Sequence, residues 1–329
     1  KQRVLEDNLW HISKVKAGNI MRPMYGPTWG YRYRARLSAR YLAKREVVLV
    51  GFNERGSGFV ADITECHVLP PHVSDMLVPM RELIGAMSIY NKVPQIEVAI
   101  GEELTAMVMR NMEALTPQDE LLLKAFADKW NIQWWLQPGG PETVAPFYPL
   151  GKELYYTLPE FNVRMPFKPT DFTQVNHHIN RVLVHKALLL LEVQPQDRVA
   201  DLFCGLGNFT LPLATQAREV VGIEGSTALT ERALDNARAN GLSEKTSFFT
   251  RNLFDITTED PAALGKFERM LIDPPRAGAA ALSVALAGLR ASHPEMMPKR
   301  IVYVSCSPST LARDGGVLVH EAGYVLSQA

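Results

Sequence analysis

The sequence predicts an α/β protein: a doubly wound parallel sheet in its second half, preceded by an α+β domain with antiparallel strands. Three observations carry this. From about Val182 onward, short apolar runs alternate with amphipathic stretches of helical period, the pattern of a parallel sheet covered by helices. One of those runs, 198–203, ends in Cys204-Gly205-Leu206-Gly207, a glycine loop that opens a helix. Before Pro166, period-two strand patterns are separated by turns. The boundary falls at Pro166-Phe167-Lys168-Pro169, giving domains over 1–168 and 169–329.

In the first domain, Val4, Leu5, Leu9, Ile12 and Val15 recur at helical spacing over 2–16, and Pro23, Gly26 and Pro27 end that segment. Residues 29–37 alternate strictly. Arg32, Arg34 and Arg36 therefore share one strand face, and Tyr31, Tyr33, Ala35 and Leu37 the other. Strands are expected at 47–52 and 59–63 around a turn at 53–58, a helix over about 71–87, and strands at 95–100 and 105–110. Thr116-Pro117-Gln118-Asp119 supplies an N-cap, a first-turn proline and an acid for a helix to about Lys129. Trp134 and Trp135 read as core or domain-interface residues.

In the second domain, helices are expected at 179–191, 208–216, 226–240, 279–290 and 309–322. Strands at 198–203, 219–224, 246–250, 268–273 and 300–305 alternate with them, and a last strand follows.

The chain has 329 residues, 47% apolar and 21% charged, an ordinary globular composition. No apolar run approaches the ~20 residues of a membrane span. The N-terminus has no signal-peptide core. Three well-separated cysteines make no disulfide framework and, with the missing signal, point to a reducing, cytoplasmic setting. A monomer is the expected state. The net charge is zero, so any nucleic-acid footprint must be local. The first residue is not Met and the last ones fall in a strand pattern, which suggests a piece of a longer chain.

Ile301-Val302-Tyr303-Val304-Ser305-Cys306-Ser307-Pro308 is an apolar strand ending in a thiol before a helix start. The carboxyl edge of a parallel sheet is where α/β proteins hold ligands, and a helix N-terminus makes a thiol more acidic and nucleophilic. A lone buried cysteine is otherwise a small hydrophobe, the reading given to Cys204. Thr210 stands where a dinucleotide fingerprint has its third glycine, so a pyrophosphate clamp is disfavoured. Gly205 and Gly207 still allow close backbone approach to a cofactor without phosphates. Asp201 and Glu224 end successive strands, and Glu224 stands where an acid takes ribose hydroxyls. Asp273-Pro274-Pro275-Arg276 ends another strand in a stiffened loop. A cofactor loop and a strand-end cysteine in one domain suggest group transfer through a thiolate.

Four motifs in order resemble the RNA 5-methyluridine methyltransferases: Asp171-Phe172-Thr173-Gln174-Val175-Asn176, the run from Asp201 to Thr210, Asp273-Pro274-Pro275-Arg276-Ala277-Gly278, and the run from Ser305 to Asp314. Residues 29–38 resemble the branch that methylates 23S ribosomal RNA. The resemblance spans essentially the whole chain. It implies a Rossmann-like domain using S-adenosyl-L-methionine, with 23S rRNA as partner. By resemblance, Cys306 is the nucleophile that adds to uracil C6, and Gln174, Phe203, Asn208, Glu224, Asn252 and Asp273 line the cofactor site. The family's general base, a Glu, is expected beyond Ala329. The family also implies an N-terminal RNA-binding TRAM domain and, in this branch, a [4Fe–4S] cluster. Cys66 matches one of its four cysteine positions, the other three being expected upstream of Lys1. Arg32, Arg34 and Arg36, extended by Arg40, Lys44 and Arg45, fit contacts to RNA phosphates.

Three alternatives stand beside this. One is the transfer-RNA branch of the same family. Another is a cytosine-5 RNA methyltransferase, which pairs two active-site cysteines, one after a proline; here Cys204 follows Phe203. The third is a non-catalytic RNA-binding or assembly factor retaining the fold.

Overall fold

The computed structural model describes residues 2–329. They form two compact units. One comprises the residues up to Tyr25, Leu158–Arg164 and Arg181–Ala329; the other comprises Gly26–Thr157 and Met165–Asn180. The N-terminal stretch thus belongs to the same unit as the parallel sheet, although some 130 residues of the other unit intervene in sequence.

In chain order the first elements are α1 (Gln2–Ser13), β1 (Arg34–Leu42), β2 (Val47–Gly51), α2 (Pro71–Ser74), α3 (Leu77–Ala86), β3 (Gln95–Ile100) and β4 (Thr105–Arg110). Next come α4 (Pro117–Trp130), β5 (Ile132–Gln137), β6 (Ala145–Tyr148), β7 (Tyr155–Leu158) and β8 (Val163–Pro166), the last two pairing as a ribbon. Then follow α5 (His177–Leu191), β9 (Arg198–Leu202), α6 (Thr210–Gln216), β10 (Glu219–Glu224), α7 (Thr227–Ala239) and β11 (Thr246–Thr250). The chain continues through α8 (Asp260–Ala263), β12 (Arg269–Ile272), α9 (Ala280–Ser292), β13 (Arg300–Tyr303) and α10 (Pro308–His320).

The unit around Gly26–Thr157 holds a six-stranded sheet in the order β2-β1-β3-β4-β5-β6. Only β4 and β5 run parallel, and α4 makes the crossover they require. The pleat sorts the sheet's two faces. Leu37, Ile96, Met109 and Leu136 lie in one cross-strand row, and Ala35, Val98, Met107 and Trp134 in the next. These rows meet Leu77, Met80 and Ile84 of α3 and Leu123 and Phe126 of α4 in one core. Each such fully buried side chain contributes about 1.5–3 kcal/mol. The opposite face carries Arg36, Glu97, Arg110 and Gln137. The capping box of α4 forms as its sequence predicts: Thr116 Oγ1 accepts from Asp119 N at 3.2 Å, and Asp119 Oδ2 accepts from Thr116 N at 2.9 Å.

The strand expected at 29–37 begins only at Arg34. Upstream, Gly30 N and Arg32 N donate to His67 O and Val68 O, so that backbone is tied to a loop rather than to a ladder. The expected strand at 59–63 reduces to one bridge between Asn53 and Val60. The helix expected over 71–87 breaks at Asp75-Met76 into α2 and α3.

The other unit holds a five-stranded, wholly parallel sheet in the order β11-β10-β9-β12-β13. Ala200, Leu202, Met270 and Ile272 face Leu282, Leu286 and Leu289 of α9 in its core. Helix α1 stops at Ser13 because Lys14 turns left-handed, at φ 56°. It lies against α10, where a Cβ on Gly316 would meet Ser13 Cβ at 2.7 Å. Among the described residues no last strand of the sheet forms. Instead Gly18 N donates to Leu326 O at 2.9 Å and Ala329 N to Asn19 O at 3.0 Å, so the final residues pair with the segment after α1. Among the described residues no helix is long and apolar enough to cross a membrane.

Candidate active site

Parallel register brings the loops after all five strands of this sheet to one edge. Leu202 is level with Ile223 and Ile272, Ile272 with Tyr303, and Glu224 with Thr250. The loops leaving that edge carry Phe203 and Asn208, Glu224, Asn252, Asp273 and Cys306. Gln174 lies in the other unit, half-buried in the segment before α5.

The loop after β9 is sharply bent. Phe203 adopts φ 65°, a left-handed conformation that costs a non-glycine residue about 1–2 kcal/mol. The bend lets Phe203 N and Cys204 N both donate to Ile223 O, at 2.8 and 3.1 Å. Gly205 and Gly207 are left-handed too, and nothing lies within 4 Å of where a Cβ on Gly205 would stand. Glu224 reaches across from β10. Its Oε2 accepts from Gly205 N and its Oε1 from Ser226 N, both at 3.1 Å.

Behind the loop, Asp201 is fully buried. Its Oδ2 accepts from Thr210 Oγ1 at 2.5 Å, while its Oδ1 is buried with no partner. Burial pushes this carboxyl up to about 7, with Asp273 and Glu224 adding repulsion against the hydrogen bond from Thr210. Burial likewise pushes Asp273 up to about 7. Thr210, which sequence reasoning treated only as a missing glycine, thus supplies the hydroxyl that holds Asp201. Cys204 is buried with its Sγ 3.0 Å from where a Cβ on Gly222 would stand, and burial raises its thiol well above the ordinary range. That is a packing residue.

Asn252 is exposed and closes a turn. Its Nδ2 donates to Asp255 Oδ2 at 2.5 Å and its Oδ1 accepts from Phe254 N at 3.1 Å. The Phe254 ring stands 5.7 Å from that of Phe203. Asn208 is half-buried beside Gly207.

Cys306 is exposed, in the turn between β13 and α10. Ser305 closes that turn: its Oγ donates to Ser307 O at 3.0 Å and accepts from Ser307 N at 3.1 Å. Pro308 starts α10. Nearly two turns into α10 stands a group that the sequence pattern does not single out. Asp314 Oδ2 accepts from Ala279 N at 2.7 Å and from Tyr303 Oη at 2.6 Å, and Arg313 Nε donates to Asp314 Oδ1 at 2.7 Å. This ties the loop after β12 to β13 and to the helix behind Cys306. Gly278 is needed there. It sits at φ 78°, and a Cβ would meet Asp314 Oδ2 at 2.5 Å.

The three arginines of the first domain do not act as one set. Arg34 Nη2 donates to Pro169 O at 2.7 Å and its Nη1 to Asp171 O, and burial lowers its pKa. Arg36 is exposed and pairs with Glu97 at 2.7 Å. Arg32 is half-buried, before the strand begins. Cys66 lies half-buried against the core of its unit, its N donating to Ser74 Oγ at 2.8 Å. Among the described residues no three His, Cys, Asp or Glu side chains are grouped to hold a metal. Cys66 by itself does not fit an iron–sulfur cluster.

A family model described as tRNA (Uracil-5-)-methyltransferase matches residues 159–321. A 23S rRNA (uracil(1939)-C(5))-methyltransferase RlmD of Cupriavidus pinatubonensis is 67% identical over 329 residues, covering 100% of this chain and 71% of that protein. The protein of the same name from Ralstonia pickettii is 64% identical over 332 residues, covering 100% of this chain and 74% of its own length. The crystal structure of Pyrococcus abyssi tRNA (uracil-54, C5)-methyltransferase in complex with S-adenosyl-L-homocysteine aligns with a TM-score of 0.72. It is 21% identical and covers 96% of this chain and 76% of that one. At that identity the likeness shows the fold.

Proposed function

The chain belongs to the family of 23S rRNA uracil-C5 methyltransferases, and on that premise we propose that it methylates C5 of a uridine in 23S rRNA, with S-adenosyl-L-methionine as donor and Cys306 as a covalent nucleophile. The observation that carries the chemistry is an exposed thiol on the same sheet edge as a glycine loop ringed by Asp201, Glu224 and Asp273. The open space at Gly205, the partnerless Asp201 Oδ1 and the carboxylate of Glu224 suit a ligand with hydroxyl and amino donors and no phosphate. S-adenosyl-L-methionine has those groups and supplies an electrophilic methyl.

Uracil C5 is a weak nucleophile. Addition of the Cys306 thiolate to C6 moves the C5–C6 π pair onto C5 as an enolate. C5 then bonds to the methyl carbon, whose bond to sulfur breaks. A base takes the C5 proton, the double bond re-forms, and the thiolate leaves. Covalent catalysis thereby divides one difficult step into easier ones. The uridine must leave its stack to reach the thiol. Phe203, Asn208, Glu224, Asn252 and Asp273 are proposed to hold the donor, and Arg36 to meet RNA phosphate.

The test is methyl transfer from labelled donor to transcribed 23S rRNA, followed by nuclease digestion. Label in 5-methyluridine at one position supports the reading. Label in tRNA alone moves the substrate to transfer RNA, and label in 5-methylcytidine removes uridine as the acceptor.

A further inference from the structure

The face of the six-stranded sheet turned away from α3 and α4 holds a cleft of about 290 Å³. Val108 lies in it, with Arg36, Gln95, Glu97, Arg110 and Gln137 around it. The register explains the grouping: Arg36, Glu97 and Val108 lie in one cross-strand row, and Gln95, Arg110 and Gln137 in the next. A sheet face that is merely solvated would leave these side chains in water. Gln137 is only 8% exposed, and it lines the cleft.

The charges are also unbalanced. Glu97 Oε1 accepts from Arg36 Nη2 at 2.7 Å, from Arg36 Nε at 3.0 Å and from Gln95 Nε2 at 2.9 Å. Glu97 Oε1 is thus engaged by Arg36 and Gln95. Arg110 lines the same cleft, and among the described residues no acid forms an ion pair with it, so its guanidinium is open to an anion.

We propose that this cleft binds one nucleotide of the RNA substrate other than the uridine being methylated, with its phosphate on Arg110 and its base edge on the Gln137 amide. A guanidinium suits a phosphate, and an amide, donor and acceptor together, suits a base edge. The volume lies at the small end of ligand sites and suits one nucleotide. The proposal rests on the RNA substrate proposed above.

The test uses the protein and a transcribed 23S rRNA fragment spanning the methylated uridine, with binding followed by fluorescence anisotropy over a range of KCl. Arg110→Gln is expected to weaken binding and to flatten the log–log salt dependence by about 0.7, the value of one single-strand phosphate contact. Gln137→Leu keeps the apolar stem and is expected to weaken binding about ten-fold. Melting temperatures report whether each variant folds. As a measurement without substitution, 4-thiouridine in the RNA is expected to crosslink to peptides containing residues 95–110 or 137–144. Folded variants that bind with wild-type affinity and slope, or crosslinks confined to other peptides, would overturn the proposal. If the wild type methylates the fragment while the variants bind as it does, the cleft fails alone; if the wild type neither binds nor methylates it, both readings fall. Tight binding of free uridine monophosphate, with RNA affinity unchanged in the variants, would assign the cleft to a free nucleotide and overturn the proposal.

Discussion

Tyr303 and Asp314 are joined side chain to side chain: the phenol donates to a fully buried carboxylate at 2.6 Å. Burial, together with that carboxylate, raises the Tyr303 phenol well above its ordinary range. Asp314 also holds Ala279 N and Arg313 Nε, so one carboxylate fixes the loop after β12 against the strand and helix that flank Cys306. Tyr303→Phe is expected to lower stability by about 1–2 kcal/mol and Asp314→Ala by about 3 kcal/mol, because the second change leaves several donors unpaired. Urea unfolding at unchanged m-value measures both. An Asp314→Ala variant as stable as the wild type would show that the tie contributes nothing.

The buried carboxyls of Asp201 and Asp273 set a pH dependence. Both are raised from an ordinary 3.8 to about 7 by burial. The folded protein therefore keeps protons that the unfolded chain releases from about pH 4 upward. Their contribution to stability is full below the unfolded value and is lost as pH rises through about 7. The melting temperature should accordingly carry a downward component between about pH 4 and 7, and Asp273→Asn should reduce that slope. Identical slopes in variant and wild type would count against a protonated Asp273.

Arg34 and Arg36 separate a structural from an electrostatic role. Arg34 gives its guanidinium to the carbonyls of Pro169 and Asp171. Arg34→Ala should cost about 1.5–3 kcal/mol of stability, as for hydrogen bonds made by a charged group, and leave the salt dependence of RNA binding as it is. Arg36→Ala should barely change stability, since its pair with Glu97 is exposed, and should flatten the salt dependence by about 0.7. Reversed outcomes would exchange the two roles.

Glu224 has a double duty. It is the proposed ribose acceptor, and it already holds Gly205 N and Ser226 N. Glu224→Ala should weaken S-adenosyl-L-methionine binding by about ten- to a hundred-fold, and lower the melting temperature even without ligand. Calorimetry showing unchanged affinity would take Glu224 out of the site.

The parallel sheet was legible in the sequence because each strand is a short apolar run with no competing period. The expected strand at 246–250 coincides with β11, and that at 300–305 differs from β13 only at its C-terminal end. The glycine loop and Glu224 were legible for the same reason, since strand ends in such a sheet converge on one edge. Less could be read where the backbone answers to distant partners. Residues 29–33 alternate like a strand, yet their amides bond to a loop near His67 and to Val175. Arg34 reads as an outward cation and is engaged by carbonyls more than 130 residues away. The bond between Thr210 and Asp201 and that between Asp314 and Ala279 are tertiary, and no periodicity announces them.

The covalent role of Cys306 is the centre of the account, and trapping tests it most directly. A 23S rRNA fragment carrying 5-fluorouridine at the target is incubated with the protein and S-adenosyl-L-methionine. Fluorine at C5 cannot leave as a proton does, so the final elimination is blocked. The account predicts a denaturation-resistant protein–RNA adduct whose RNA remnant maps by mass spectrometry to Cys306, and no adduct with Cys306→Ala. Methylation of uridine by Cys306→Ala, or an adduct mapping to Cys66 or Cys204, would contradict it.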